Sequence, residues 1–431
     1  MTNAGPQLTT STRRRQWVLV TLLIVAGCVN YIDRSTLAIA NHDIAQELHL
    51  SVGEMGMLLS AFAWTYAIFQ LPAGVLTDHA GPHRMLTIGM IVWSLAQLLS
   101  GMIQNFGQLL IARAGLGFGE SPMFTAGTRA CVNWFPIKTR GVPLGLFNAA
   151  SSLGPAIAPP LLTGLMLAYG WRFMFMLMGV AGFVVAALWG LYYRDPEPAG
   201  VSKEERAIIN AGVTEPTKTA APRLWTKLFL IPSTWALMGG LFGIVYVSWL
   251  YGAWLPYYLE SERHIGIAHA GLLVAIPQFA GFFGGSLGGF LSDWLIRLGV
   301  DPIPSRKLLA IGGILIAGLF TALVPFIADT ALTLAAISAA LFFVYLSSSC
   351  SWALGASLTP SHFVATLESI QNIGGSVGGA LAPLVTGFVV EYAHTFTPAF
   401  ALAAGATIFS AGSYALVRKN AYAMLSETSS D

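Results

Sequence analysis

The chain has 431 residues, of which 55% are hydrophobic and only 10% charged, with a mean hydropathy of +0.67. A soluble domain carries about 25% charged residues, so this composition excludes a water-soluble enzyme or nucleic-acid-binding module and marks a polytopic membrane protein. The net charge of +2 says little by itself, and where the basic residues sit says more.

The first apolar stretch, 17–40, is long enough to cross the roughly 30 Å hydrocarbon core as one helix. It exceeds a signal-peptide core and has no small-residue cleavage site, so it is read as the first span. Inside it stands Asn30-Tyr31-Ile32-Asp33-Arg34, an adjacent acid and base. Each charge there costs about 2.5–3.5 kcal/mol on insertion scales, so both must face protein or water and find partners on another helix. Further apolar runs follow at 53–77, 83–104, 107–131, 141–167 and 171–193. A polar interval, 194–232, carries Asp195-Pro196-Glu197-Pro198 and Lys203-Glu204-Glu205-Arg206 and suits a surface linker. Six more runs come after it: 233–259, 268–292, 306–327, 330–354, 363–390 and 396–417.

The expected fold is therefore an all-α membrane protein of twelve transmembrane helices in two six-helix bundles. The expected domains are an N-terminal bundle 1–193, a cytoplasmic linker 194–232 and a C-terminal bundle 233–431. With both termini in the cytoplasm, seventeen of the 22 Lys and Arg residues fall inside, including Arg13–Arg15, Lys138, Arg140 and Lys218. Only Arg172 and Arg263 fall outside, as the positive-inside rule requires.

The halves look duplicated. Gly74-x-x-x-Asp78 after span 2 recurs as Gly289-x-x-x-Asp293 after span 8. Asn148, Ser152, Gly154, Ala156, Ala158 and Pro159 in span 5 recur at the same spacing as Asn372, Ser376, Gly378, Ala380, Ala382 and Pro383 in span 11. Parallel repeats of this kind belong to transporters whose substrate site lies at mid-membrane between the halves.

Gly74-Val-Leu-Thr-Asp78-His-Ala-Gly81 resembles the loop 2–3 signature of the major facilitator superfamily. Asn30-Tyr31-Ile32-Asp33-Arg34, Arg113-x-x-x-Gly117-x-x-Glu120-Ser-Pro122, Trp134-Phe-Pro and Arg140-Gly141 resemble its anion:cation symporter family, down to bacterial sugar-acid/proton symporters. His79, Pro82 and His83 depart from the pattern, standing where the family has basic residues and leaving Arg84 alone. The resemblance implies a proton-coupled symporter importing a small organic anion, a hexonate, hexarate or hexuronate, by alternating access. It implies proton coupling at Asp33 and Glu120 and anion binding at Arg34 and Arg113. It also implies a gate motif of Gly74, Asp78, Gly81 and Arg84 with Gly289 and Asp293.

Seven residues separate Arg113 from Glu120, which puts them on one helix face about 10.5 Å apart, too far to pair. Cross-helix pairs Asp33–Arg113 and Arg34–Glu120 are both natural, and spacing leaves the choice open. The substrate would be lined by Tyr66, Ser151, Ser349, Trp352, Gln371 and Asn372. Against this, Ser151 and Ser349 are as readily ordinary interhelical hydrogen bonds, whereas Trp352 and Asn372 match, by resemblance, positions that line the substrate site in sugar-acid carriers. Cys28, Cys131 and Cys350 lie singly in apolar surroundings with no metal spacing, so no metal, no cofactor and no enzyme activity are expected. The expected partners are the organic anion, a proton and the lipid bilayer of the inner membrane, with no nucleic acid, and the expected state is monomeric. Two alternatives remain: an aromatic or other carboxylate carrier, in which Trp352 and Tyr66 stack a ring, and a non-transporting sensor on the same fold.

Overall fold

The computed structural model describes residues 8–136, 141–197, 199–209, 224–359 and 364–422. The expected basic residues Lys138, Arg140 and Lys218, the rest of the 210–223 linker, and both termini lie outside the described residues. So do the side chains of Asp78, Asn148 and Ser152.

The described chain is helical, with no strand among the described residues. In order the helices are α1 (Thr10–Ile39), α2 (Asn41–Glu47), α3 (Val52–Ala80), α4 (Pro82–Ser100), α5 (Phe106–Glu120), α6 (Met123–Trp134) and α7 (Gly141–Tyr192). After α8 (Lys203–Ile209) come α9 (Pro232–Ser261), α10 (Ile267–Arg297), α11 (Pro302–Leu323), α12 (Thr330–Leu358), α13 (Val364–Ala393) and α14 (Thr397–Ala415). Eight segments are long and apolar enough to cross a membrane on their own, with Leu153–Tyr192 counted once.

Local chemistry sets the ends. Thr9, Asn105 and Asp329 cap α1, α5 and α12 with side-chain oxygens that accept the N–H three residues on. Pro82, Pro232 and Pro302 open α4, α9 and α11, where the missing N–H costs nothing. The two runs expected as separate spans, 141–167 and 171–193, are two helical arms of α7 that meet at a kink at Gly170, φ 81°. Such a left-handed residue costs a side-chain-bearing residue about 1–2 kcal/mol and glycine almost nothing. The run expected at 107–131 is instead broken: α5 ends at Glu120 and α6 starts at Met123. Pro122 has no N–H to continue the ladder, and Ser121 turns its hydroxyl back onto the Phe118 carbonyl at 2.8 Å.

The chain divides into two compact units. One holds Met1–Ala40 and Trp64–Thr219, the other Asn41–Ala63 and Ala220–Asp431. The boundary therefore falls within α3, whose first three turns group with the later helices. In the first unit α1 packs on α7, and α4 packs on α5 and α7. In the second α9 packs on α13, and α11 packs on α12 and α14. The repeated partner scheme is the structural counterpart of the duplicated motifs.

Candidate functional site

The charged residues of the first unit are seated by glycines. At Gly154 on α7 an added Cβ would lie 2.5 Å from Tyr31 Cβ, and at Gly27 on α1 it would lie 2.7 Å from Ala150 Cβ. These close approaches fix the α1 face that carries Asn30, Asp33 and Arg34. On the opposite wall Gly119 meets α4, where an added Cβ would lie 2.5 Å from the Trp93 nitrogen. Gly89 returns the contact against the Gly119 carbonyl and Pro122. Glu120 is thus the last residue of a helix clamped immediately before a proline break.

There Arg34 donates from Nε to Glu120 Oε2 at 2.7 Å. Of the two pairings open from spacing, this one is made. The guanidinium carbon sits 4.7 Å from the Tyr31 ring centroid and 4.8 Å from that of Tyr66, so two aromatic faces hold it. The Arg34 side chain is 15% exposed while that of Glu120 is fully enclosed.

Asp33 is fully buried, and neither of its carboxylate oxygens has a hydrogen-bond partner among the described residues. The charges that act on it are Glu120 and Arg113, through space rather than by direct bonding. Arg113 itself is 2% exposed. Of the two bases expected to face the anion, Arg34 is the more exposed and Arg113 the more buried. A buried ionised group that lacks full compensation is costly, so this cluster is a reservoir of electrostatic free energy.

Sequence reasoning passed over three neighbours. Tyr31 was visible in the motif, yet its ring role depends on the helix it faces. Thr36 donates to the Asp33 carbonyl oxygen at 2.7 Å, and Gln97 donates to the Thr36 hydroxyl at 3.0 Å. Gln97 carried a signal that went unused: it is an uncharged polar residue within an apolar helix.

In the second unit the expected residues divide. Gln371 is fully buried and donates to Ser351 Oγ at 2.8 Å, and Ser351 in turn bonds the Tyr414 hydroxyl. This is a chain of interhelical bonds among α12, α13 and α14 that engages the Gln371 amide nitrogen, while its buried Oε1 has no hydrogen-bond partner among the described residues. Ser349, Trp352 and Asn372 are half-buried, as are Ser151 and Tyr66 in the first unit.

The gate-motif residues lie at helix ends. Gly81 precedes α4 at φ 80°, a conformation that requires glycine. Arg84 and Asp293 are exposed, and Gly74 and Gly289 allow van der Waals contact with Thr125 and Ser349. Asp195 lies 3.6 Å from where a Gly81 Cβ would be, and accepts bonds from Asn133 and the Tyr193 hydroxyl, both at 2.9 Å. His83, one of the departures from the family pattern, accepts from Arg194. No group of three or more metal-ligating side chains occurs among the described residues.

Residues 23–383 match the profile of the Major Facilitator Superfamily. The chain belongs to that superfamily. It is a membrane transporter and not an enzyme. A protein of Escherichia coli K12 named "Probable L-galactonate transporter" is 40% identical over 90% of this chain and 86% of its own. Another from the same organism, named "Probable galactarate/D-glucarate transporter GarP", is 33% identical over 89% of this chain and 90% of its own. The crystal structure of a bacterial homologue of the human lysosomal transporter Spinster, inward-facing and occupied, superposes with a TM-score of 0.77. It covers 95% of this transporter and 97% of that chain at 18% identity, a likeness of fold.

Proposed function

We propose that this transporter is a proton-coupled symporter that imports a small organic anion, a sugar acid, by alternating access. One observation carries the reading: the partly exposed Arg34 is both the reachable base and the hydrogen-bond partner of the enclosed Glu120. A carboxylate entering the unit competes with Glu120 for Arg34. If it wins, the Glu120 charge is left uncompensated in a low-dielectric site, and uptake of a proton removes that penalty. Anion and proton then bind cooperatively, and by linkage each raises the affinity for the other by the same factor. Asp33 is the second proton site of the cluster in this reading. The charge asymmetry of the loops supports an inner-membrane orientation with cytoplasmic termini, and the names of the relatives support organic acids as cargo.

The test is uptake into proteoliposomes. With an inward proton gradient, purified protein should accumulate galactonate or glucarate, and a protonophore should abolish accumulation. Glucose and galactose should not compete. Accumulation unaffected by the protonophore would refute proton coupling, and competition by neutral sugars with none by the acids would refute the anion reading.

A further inference from the structure

No hydrogen bond among the described residues fixes the Asp33 carboxylate directly. Where it stands relative to Arg113 and Glu120, whose charges act on it through space, is therefore set by the turn of α1 that carries it. That turn lies within two turns of the helix end at Ile39. A helix end is the part least tied by its own ladder, because its last carbonyls have no partner further along.

A short bonded chain ties this turn to α4. Gln97 Nε2 donates to Thr36 Oγ1 at 3.0 Å, and the Thr36 hydroxyl donates to the Asp33 carbonyl oxygen at 2.7 Å. All three residues are fully buried. The direction of the chain is forced by chemistry: the Asp33 carbonyl only accepts, so the hydroxyl spends its single hydrogen there. Its lone pairs are then left to receive the Gln97 N–H. Away from water the two bonds polarise each other. Both α1 and α4 pack on α7, and the Gln97–Thr36 bond joins them to each other directly.

The chain brings no charge of its own. His83 and Arg84 of α4 stand in its first turn, whereas Gln97 is in its last. Arg172 of α7 is bonded to the Gly101 and Ile103 carbonyls, and Arg129 of α6 acts on Tyr193. The charges beside Asp33 are thus Arg34 on its own helix, bonded to Glu120, and Arg113 and Glu120 on α5. Coulomb energies change steeply with separation in a low-dielectric site, so a small shift of the Asp33 turn alters what those groups do to its proton.

We propose that Gln97 is a positioning residue for proton coupling, holding the Asp33 carboxylate in register with Arg113 and Glu120 through Thr36. The proposal rests on the reading of Asp33 as a proton site. A purely structural interhelical bond would change stability and leave the Asp33 proton affinity where it is.

The experiment follows the carboxyl band of Asp33 by infrared difference spectroscopy on the purified full-length chain, with the band assigned by its loss in Asp33→Asn. Gln97→Met keeps the side-chain length and removes the amide, and Thr36→Val keeps the shape and removes the hydroxyl. Each should move the midpoint of the band by about one pH unit, tenfold in proton affinity, the worth of one hydrogen bond. The double variant should move no further than either single one, because both break the same chain. Thr36→Ser retains the hydroxyl and should titrate like the parent. In proteoliposomes the pH of half-maximal galactonate uptake should shift in step with the band. Unmoved midpoints in both single variants, or additive shifts in the double one, would overturn the positioning role. Should Gln97→Met fail to fold, Thr36→Val against Thr36→Ser decides the matter by itself. A band that moves while the uptake profile stays put would break the link to coupling. A parent chain that takes up no organic acid would count against the function reading alone, since the band still reports whether Gln97 sets Asp33.

Discussion

Arg34 and Tyr66 face each other with 4.8 Å between guanidinium carbon and ring centroid, joining α1 to α3 beside the buried Glu120. The contact holds the guanidinium by its face, without spending any of its N–H donors. Tyr66→Phe keeps the ring and should leave the galactonate KM within about twofold, while Tyr66→Leu should raise it roughly 3–30-fold. Uptake kinetics of the two variants side by side make the check, and equal KM values would show that the ring does not position Arg34.

Glu120→Gln fixes the site in a neutral, proton-loaded form. This variant should still bind substrate and exchange it across the vesicle membrane in counterflow. It should not concentrate substrate under a proton gradient, because nothing is released inside. Proton-driven accumulation at the parental rate would remove Glu120 from the coupling mechanism.

Gly119→Ala should be costly because the new Cβ would lie 2.5 Å from backbone of α4 rather than from a yielding side chain. Overpacking of this kind costs about 1–3 kcal/mol. Gly164→Ala in α7, with nothing within 4 Å of its new Cβ, should be neutral or slightly stabilising. Thermal unfolding of the two purified variants separates these outcomes.

Gln371→Ala should lower stability by about 1–3 kcal/mol, because it leaves the buried Ser351 hydroxyl short of a donor. Its KM for galactonate should stay near the parental value, and its thermal midpoint should fall. A large KM change with unchanged stability would return Gln371 to the substrate site.

The elements that the sequence revealed are those whose signal is local. The helical character and apolar length of each run depend on residues close together in the chain. Asp33, Arg34, Arg113 and Glu120 stood out because a charge among apolar residues is conspicuous without any partner in view. What stayed hidden depends on neighbours supplied from far away. Nothing near Gly119 announces that Trp93 backbone lies against it, and nothing near Glu391 announces the Gly53 N–H it accepts. A buried amide such as Gln371 looks the same in sequence whether it serves a ligand or Ser351. The difference in burial between Arg34 and Arg113 likewise depends on helices far away in the chain.

The break at Gly170 has a bearing on how the protein is made. A single left-handed residue joins the two arms of α7, so no polar loop exists there to be translocated by itself. With every other backbone group inside a helix, the arms satisfy their hydrogen bonds before lipid surrounds them. The pair is therefore expected to enter the bilayer together during synthesis, bringing the packing faces for α1 and for α4 with it.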